Sequence, residues 1–264
     1  MLVLFGWPVL SGVLQAFGYG SATGFTDAYW DRMAGDPVFW AAVRNTLLLI
    51  VVLIPVQFCL GIAMALLLRA KPRFSGVYFY LWAVPLAISD LAAGLVWLSV
   101  FTDRGYLNSL LEQLGIAGVD WLNYQSTTKM LMAVVIAELW RSTSLVLVIV
   151  VSGMQMTPRD YDEAAQVFGA TFWQRLRHVT LPLLKPSLQV ALILRTILAF
   201  QAFAVAQALT GRQFPLLIGE TYWWYVQLND PNVASAVAVV VLGVSMVTAL
   251  VYLRLLRSPD AGAR

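Results

Sequence analysis

Charged residues are scarce in this sequence: only 12% of its 264 residues are Asp, Glu, Lys or Arg, against about 25% in ordinary soluble domains. The shortage comes from several runs of roughly 20 apolar residues, the length that a helix needs to cross the hydrocarbon core of a bilayer. A soluble fold is excluded, because a chain of this size could not cover so many helices that are apolar on every side. The sequence therefore predicts an all-α, polytopic membrane protein with a single transmembrane domain over residues 1–264.

Residues that build disulfides, metal centres and catalytic triads are almost missing. Cys59 is the one cysteine, so no intrachain disulfide can form, and its place in an apolar run indicates a small packing residue. His178 is the one histidine, which leaves little for a zinc site or a His-based triad. The sequence also lacks the GxxxxGK[ST] phosphate loop and the CxxC, HExxH and GxSxG patterns. We predict no catalytic residue, no metal and no cofactor in this chain, so that any ATP it uses binds to a partner.

Six apolar runs are present, and each is predicted to be a transmembrane helix. They cover residues 2–19, 38–68, 74–101, 128–153, 187–209 and 233–256. The first run has neither a basic leading segment nor a small-residue cleavage signal, so we interpret it as a retained span rather than a signal peptide.

The basic residues between these runs are distributed unequally. Ten lie in one set of connections: Arg69, Lys71, Arg73, Arg159, Arg175, Arg177, Lys185, Arg254, Arg257 and Arg264. Five lie in the opposite set: Arg32, Arg44, Arg104, Lys129 and Arg212. Cytoplasmic loops of membrane proteins have an excess of Lys and Arg. The first set, and with it both termini, is therefore predicted to be cytoplasmic.

A polar stretch, DEAAQVFGATFWQRLRHVTLP, separates the fourth and fifth runs on this basic side. Pro158 indicates a helix start, and Asp160, Asp162 and Glu163 would lie in the first turn, where the positive end of the helix dipole favours acids. Gly169 is predicted to end this short helix as a C-cap glycine.

A second short helix is predicted at about 171–178, because apolar residues recur there at helical spacing with basic residues between them. Leu181-Pro182 is predicted to close it. From the residues alone, the segment at about 157–182 is either an amphipathic unit resting on lipid headgroups or an element that docks on another protein.

This segment resembles the EAA loop of ABC-importer permeases, through Glu163-Ala164-Ala165, then Gly169, then Leu181-Pro182 at fixed spacing. Further motifs resemble the sugar-type, maltose-transporter-like branch of that family: Val84-Pro85, Gly105-Tyr106-Leu107-Asn108, Gly153-Met154-Gln155, Leu209-Thr210-Gly211 and Ala234-Ser235-Ala236. The resemblance extends over nearly the whole chain from about residue 38. Two positions depart from the branch, which often has Asp where this chain has Phe168 and Gly-Gly-Pro where it has Arg212.

The resemblance implies the type I ABC-importer permease fold, with cytoplasmic coupling helices between spans four and five. It implies two ATP-binding subunits that hold ATP and Mg²⁺, a second and different permease subunit, and an extracytoplasmic substrate-binding protein, assembled in a bacterial cytoplasmic membrane. It also implies that the loop residues contact an ATPase subunit: Arg159, Asp162, Glu163, Ala164, Ala165, Phe168, Gly169, Ala170, Phe172, Leu181 and Pro182.

Polar residues inside the predicted spans are candidates for the translocation path, because ionisable groups at membrane depth are costly. The candidates are Trp140, Gln201, Gln207, Gln57, Asp90, Glu138 and Arg141. Two interpretations of Glu138 and Arg141 stay open: an ion pair that satisfies itself at i, i+3, or a polar wall of the cavity. Arg195 is expected either to pair with Asp90 or another subunit, or to extend toward the interface.

The predicted function is that of a transmembrane permease subunit in an ATP-driven importer for a sugar or a sugar-like solute, working by alternating access. One alternative is the same architecture importing a glycerophosphodiester, an amino acid or a polyamine. The other is a secondary transporter or channel without an ATPase, for which short broken spans at matching positions of two repeats would be expected.

Overall fold

The structure of the chain is a computed structural model, which describes residue 4 and residues 6–21, 24–158 and 160–255. Every regular element in this part of the chain is helical. The α-helices are α1 (Trp7–Ala16), α2 (Ala28–Ala34), α3 (Pro37–Arg69), α4 (Ser75–Ala83), α5 (Asp90–Phe101), α6 (Tyr106–Gln113), α7 (Thr127–Met156), α8 (Asp160–Val167), α9 (Phe172–Arg175), α10 (Leu181–Phe200), α11 (Ala204–Thr210), α12 (Leu217–Tyr222) and α13 (Pro231–Leu255).

Within the described residues, four stretches are long and apolar enough to cross a membrane: Pro37–Arg69, Thr127–Met156, Phe172–Phe200 and Pro231–Arg254. A fifth crossing results if Ser75–Ala87 and Asp90–Gln113 are counted as one broken span. The all-α, multi-span prediction is therefore confirmed. α1 has ten residues, fewer than a crossing requires, and residues 2, 3 and 5 of the predicted first span lie outside the described ranges. The count of six spans stays a prediction.

Two of the predicted spans are interrupted, a feature that their apolar runs do not indicate. In the third, a 3₁₀ turn at Val84–Ala87 follows α4, and Ile88 is extended before α5 begins. Pro85 contributes to this break because it has no N–H to donate to the preceding turn. In the fifth, α10 ends at Phe200, and Phe203 has φ −137° and ψ −62° before α11 begins.

The chain divides into two compact units, and the four longest helices contribute to both. The first unit comprises Met1–Val52, Asp90–Ala137 and Leu198–Val247. Inside it, α5 and α11 pack closely at Gly94, where an added Cβ would lie 2.7 Å from the Cβ of Ala208. Small residues at such crossings let two helix backbones approach each other in a membrane protein.

The second unit comprises Leu53–Ser89, Glu138–Ile197 and Thr248–Arg264. Its core is a cluster of buried apolar side chains contributed by α3, α7 and α10: Ala65, Val146, Leu147, Val150, Met154 and Leu184. Two glycines permit the close packing of these helices. A Cβ at Gly61 would meet Val146, and a Cβ at Gly153 would overlap the side chain of Ser187.

The polar segment between the fourth and fifth spans differs from its prediction at its end. A π-helical turn at Leu176–Thr180 joins α9 to α10 without a break, so the prediction that Leu181-Pro182 closes a helix is wrong. The N–H of Leu181 donates to the carbonyl of Leu176, five residues back, and this wider turn accommodates a proline that would clash with an α-helical carbonyl. Cys59 is exposed on the isolated chain, and its prediction as a small packing residue stays a prediction.

Candidate functional site

The first short helix of the polar segment ends at a glycine, as the sequence predicts. α8 covers Asp160–Val167, with three acids in its first turn. Gly169 then adopts a left-handed φ of +79°. Its N–H donates to Gln166 at 2.9 Å, and the N–H of Ala170 donates to Ala165 at 3.0 Å. These two bonds form a Schellman motif, which a residue with a Cβ would strain.

The second short helix begins with a capping box. The Thr171 side chain accepts from the N–H of Gln174, and the Gln174 side chain accepts from the N–H of Thr171 at 2.8 Å. An ion pair then joins the two helices across the Gly169 turn, with Arg175 Nη1 3.2 Å from Asp162 Oδ2. The direction of each helix is thus fixed locally, by a cap at one end and a charge pair between them.

Three large aromatic side chains are exposed on this segment. Phe168 is 90% exposed, Trp173 73% and Phe172 51%. Glu163 and Ala164 are exposed beside them, whereas Ala165 and Ala170 are half-buried. Leu181 is half-buried and Pro182 exposed. Large apolar side chains grouped at the surface with a polar rim indicate a contact with another protein or with lipid. Arg159, predicted for the same surface, lies outside the described residues.

A buried polar network occupies the interior of the second unit. Arg195 on α10 is 1% exposed, and Glu138 on α7 is also 1% exposed. Arg195 Nη2 donates to Glu138 Oε2 at 3.0 Å and to Ser142 Oγ at 2.8 Å. Arg195 Nε donates to Gln57 Oε1 on α3 at 2.8 Å. One guanidinium therefore links its own helix, α10, to side chains of α7 and α3.

The hydroxyl of Ser142 completes this network. It accepts from Gln57 Nε2 at 2.9 Å and donates to the backbone carbonyl of Glu138. Arg141 is more distant, with Nη2 3.8 Å from Glu138 Oε2 and a side chain that is 18% exposed. The main partner of Glu138 is therefore Arg195 rather than Arg141, and Arg195 is buried among these partners rather than extended to the interface.

The remaining path candidates lie at different places. Asp90 starts α5 and is half-buried, and Gln207 on α11 is exposed. Gln201 is exposed in the break after α10. These three belong to the first unit, whereas Trp140, which is 38% exposed, belongs to the second.

Two residues of these sites are not indicated by the sequence patterns. Arg175 resembles any other basic loop residue, although its spacing of 13 from Asp162 brings it back across a glycine turn. Ser142 gave no signal, because a serine four residues after Glu138 is common on helices and its role depends on α3 and α10. Over the described residues, no cluster of three potential metal ligands occurs.

A protein-family model described as "Binding-protein-dependent transport system inner membrane component" matches residues 57–259. The sulfoquinovosyl glycerol transport system permease protein of Agrobacterium fabrum is 35% identical over 243 residues, covering 88% of this chain and 76% of that protein. The trehalose/maltose transport system permease protein of Thermococcus litoralis is 31% identical over 227 residues, covering 84% of this chain and 76% of that protein. The arabinooligosaccharides transport system permease protein of Bacillus subtilis is 28% identical over 271 residues, covering 96% and 84%.

Solved structures share the fold. A chain of a bacterial ABC transporter involved in the import of the acidic polysaccharide alginate superposes with a TM-score of 0.85, at 18% identity, covering 98% of this chain and 92% of that chain. A second structure is the bacterial alginate ABC transporter in complex with an alginate pentasaccharide-bound periplasmic protein, with a TM-score of 0.84 at 19% identity, covering 97% and 90%. The arrangement of helices described above is therefore that of ABC-importer permeases.

Proposed function

This chain belongs to the family of binding-protein-dependent transport system inner membrane components, and from this premise we propose the cargo, the partners and the residues by which it works. It is a multi-pass membrane permease of an ABC importer, a transport subunit rather than an enzyme. Membership of a binding-protein-dependent family favours this function over an ATP-independent secondary transporter or channel.

The proposed cargo is a sugar or a sugar-like solute. Three relatives that each cover more than four fifths of this chain are described as permeases for sulfoquinovosyl glycerol, for trehalose and maltose, and for arabinooligosaccharides. These solutes are rich in hydroxyl groups, which amide side chains recognise by hydrogen bonds. Those descriptions favour a carbohydrate over the alternatives of a glycerophosphodiester, an amino acid or a polyamine.

The segment from α8 to Pro182 is proposed to couple this permease to an ATPase subunit, where ATP and Mg²⁺ bind. The observation that supports this is the exposed patch of Phe168, Phe172 and Trp173 on two helices whose directions are fixed by Gly169. Glu163 lies beside this patch, where it would meet basic or polar groups of the partner. Docking on a protein explains a fixed helix–turn–helix better than resting on headgroups, which requires only an amphipathic helix.

The assembly proposed around this chain contains two ATPase subunits, a second and different permease, and an extracytoplasmic binding protein. One of the structural neighbours is in complex with a periplasmic protein that holds its cargo. The basic connections, the coupling segment and both termini are proposed to face the bacterial cytoplasm, in accord with the excess of Lys and Arg there.

The path residues are proposed to be those whose polar atoms are accessible. Gln201 and Gln207 are exposed and Trp140 is partly exposed, so they are the proposed cargo contacts. Asp90 and Arg141 are proposed for the wall of the path, and Gln57 and Glu138 are proposed to act through the buried network.

Gln207→Ala is expected to raise the half-saturating cargo concentration of uptake about tenfold, because one or two hydrogen bonds of about 1 kcal/mol each are lost. Unchanged uptake kinetics in Gln207→Ala, Gln201→Ala and Trp140→Ala alike would contradict the proposed path.

The coupling assignment is tested with Glu163→Lys and Gly169→Pro. The first reverses a charge on the docking surface, and the second cannot adopt the φ of +79°. Both variants are expected to insert normally and to reduce cargo uptake per ATP hydrolysed at least tenfold, as measured with the reconstituted complex. Glu112→Lys, a matched charge reversal at an exposed position of α6, is expected to keep the wild-type ratio. Normal transport in either loop variant would contradict the assignment.

A further inference from the structure

A cavity of about 530 Å³ lies in the second unit, between the end of α3, the start of α4 and the end of α7. Two cations line it, Arg69 and Lys71, and among the described residues that line it none is acidic. Nothing in the importer function assigned above requires this cavity, which is separate from the Arg195 network. Its two faces differ in chemistry.

The polar face carries polar side chains beside the two cations. Ser75 and Tyr80 contribute hydroxyl groups and Gln155 contributes an amide, whereas the Thr157 hydroxyl donates to the carbonyl of Gly153. Guanidinium, ammonium and hydroxyl groups lining one space match the acceptor pattern of a phosphate group. Arg73 adds a third positive charge within Arg69–Arg73 at this end of the helix.

The apolar face is formed by the packed core of the unit. Ala65 and Met154 belong both to the core cluster and to the cavity lining, and Phe79 and Val151 extend the apolar wall. Since the core side chains on this face are buried, the cavity has a preformed floor. A free phosphate ion would gain nothing from such a wall, whereas an acyl or glycerol portion would be removed from water by it.

The position along the chain agrees with a ligand at the membrane boundary. The cavity begins where the 33-residue span Pro37–Arg69 ends, and basic residues at helix ends lie at the headgroup level. The turn after this span is constrained, because Lys71 (φ +51°) and Phe74 (φ +69°) are both left-handed. Non-glycine residues adopt this conformation only where the surroundings hold them.

We propose that this cavity binds a phosphate-bearing amphiphile, the headgroup of an anionic phospholipid, with Arg69 and Lys71 contacting the phosphate and the Ala65–Met154 face contacting the glycerol and upper acyl region. Basic pockets between transmembrane helices on the cytoplasmic side are suited to such headgroups. Arg69 also lines a second, smaller cavity, whose other lining residues include Asp162 and Arg175 of the coupling segment. A bound lipid would therefore lie beside the coupling segment.

The test measures lipid retention by native mass spectrometry on the full chain, purified with the subunits that are co-expressed with it. After delipidation, the wild type is titrated with phosphatidylglycerol or with phosphatidylcholine of the same acyl chains. We expect one phosphatidylglycerol to bind about tenfold to thirtyfold more tightly than phosphatidylcholine, the contribution of two cations near the membrane surface. Lys71→Gln and the double variant Arg69→Gln/Lys71→Gln are expected to lose this preference stepwise.

Two matched variants separate the cavity from a diffuse basic surface. Arg73→Gln removes the same charge from the same turn, but Arg73 does not line the cavity and lies over the ring of Phe74 at 5.4 Å; it is expected to keep the preference. Gly76→Leu keeps both cations and adds a bulky side chain to the cavity lining, at a position where an added Cβ would meet no atom within 4 Å; it is expected to lose the bound lipid.

Four results would overturn the proposal. The first is that the wild type binds no phosphatidylglycerol, and the second is that Arg73→Gln loses the phosphatidylglycerol preference as fully as Lys71→Gln does. The third is that Lys71→Gln and Gly76→Leu both retain the bound lipid in full. The fourth is that inorganic phosphate at equal concentration displaces the lipid. The last would assign the cavity to a free phosphate anion.

Discussion

Arg195 is the residue whose removal should cost this protein most. Its guanidinium is fully buried and contacts Glu138, Gln57 and Ser142 on two other spans. Loss of one partner from a buried pair leaves the other charge without compensation, which costs about 3–5 kcal/mol. We therefore expect Arg195→Gln to lower the thermal unfolding midpoint of the purified chain strongly and to reduce its yield, as measured by fluorescence-detected size-exclusion chromatography after heating.

The nearest matched residue is Arg141, one turn from Glu138 on the same helix. Its guanidinium is 3.8 Å from the carboxylate and partly exposed, so Arg141→Gln is expected to shift the midpoint by less than half as much. The double variant Glu138→Gln/Arg195→Gln should recover part of the loss, because both charges of the fully buried pair are then removed together. Equal destabilisation by Arg141→Gln and Arg195→Gln would show that the network does not depend on Arg195.

Helix packing in the second unit depends on the absence of a side chain at Gly153. A Cβ on this residue of α7 would lie 2.6 Å from the Cβ of Ser187 on α10. Two carbon atoms that are not bonded to each other cannot approach so closely. Gly153→Ala is expected to destabilise the chain by about 1–3 kcal/mol through overpacking. Adding Ser187→Gly should relieve the contact, whereas Ser187→Ala, which keeps the Cβ, should not. The measurement is the unfolding midpoint in detergent.

Gly243 on α13 is the control for this substitution. No atom lies within 4 Å of the position that its Cβ would occupy, so Gly243→Ala should be neutral or should stabilise the helix by up to about 1 kcal/mol. A destabilisation of similar size at both glycines would contradict the explanation by close packing, because helix propensity alone acts in the opposite direction.

Elements that depend on local sequence could be predicted, and those that depend on distant residues could not. The end of α8 at Gly169 follows from a glycine that permits positive φ, and α3, α7 and α13 follow from apolar length. The pairing of Arg195 with Glu138 joins residues 57 positions apart, so no local pattern contains it. The sequence predicts that Pro182 ends a helix, because proline usually does so. The helix continues because the π-helical turn before Pro182 accommodates the ring, and no local pattern in the sequence indicates that turn. The break near Phe203 has neither proline nor glycine to indicate it.

At the scale of the whole molecule, the distribution of basic residues predicts which connections face the cytoplasm. Ten Lys or Arg residues lie in one set of connections and five in the other, and connections rich in Lys and Arg generally stay on the cytoplasmic side during insertion. The proposed docking segment belongs to the richer set. The importer function therefore requires that this segment face the compartment that holds ATP.

Single cysteines in a Cys59→Ser background, expressed without the ATPase subunits that would cover Phe168, test this orientation. Phe168→Cys and Arg73→Cys should be labelled by a membrane-impermeant maleimide only after the cells are opened, whereas Leu114→Cys and Tyr124→Cys should be labelled on intact cells. All four positions are exposed on the chain, so a difference in labelling reports the side of the membrane rather than burial. A membrane-permeant maleimide, which should label all four in intact cells, controls for reactivity. Labelling of Phe168→Cys from outside the cells would show that the chain has the opposite orientation in the membrane. It would also exclude contact between this segment and a cytoplasmic ATPase.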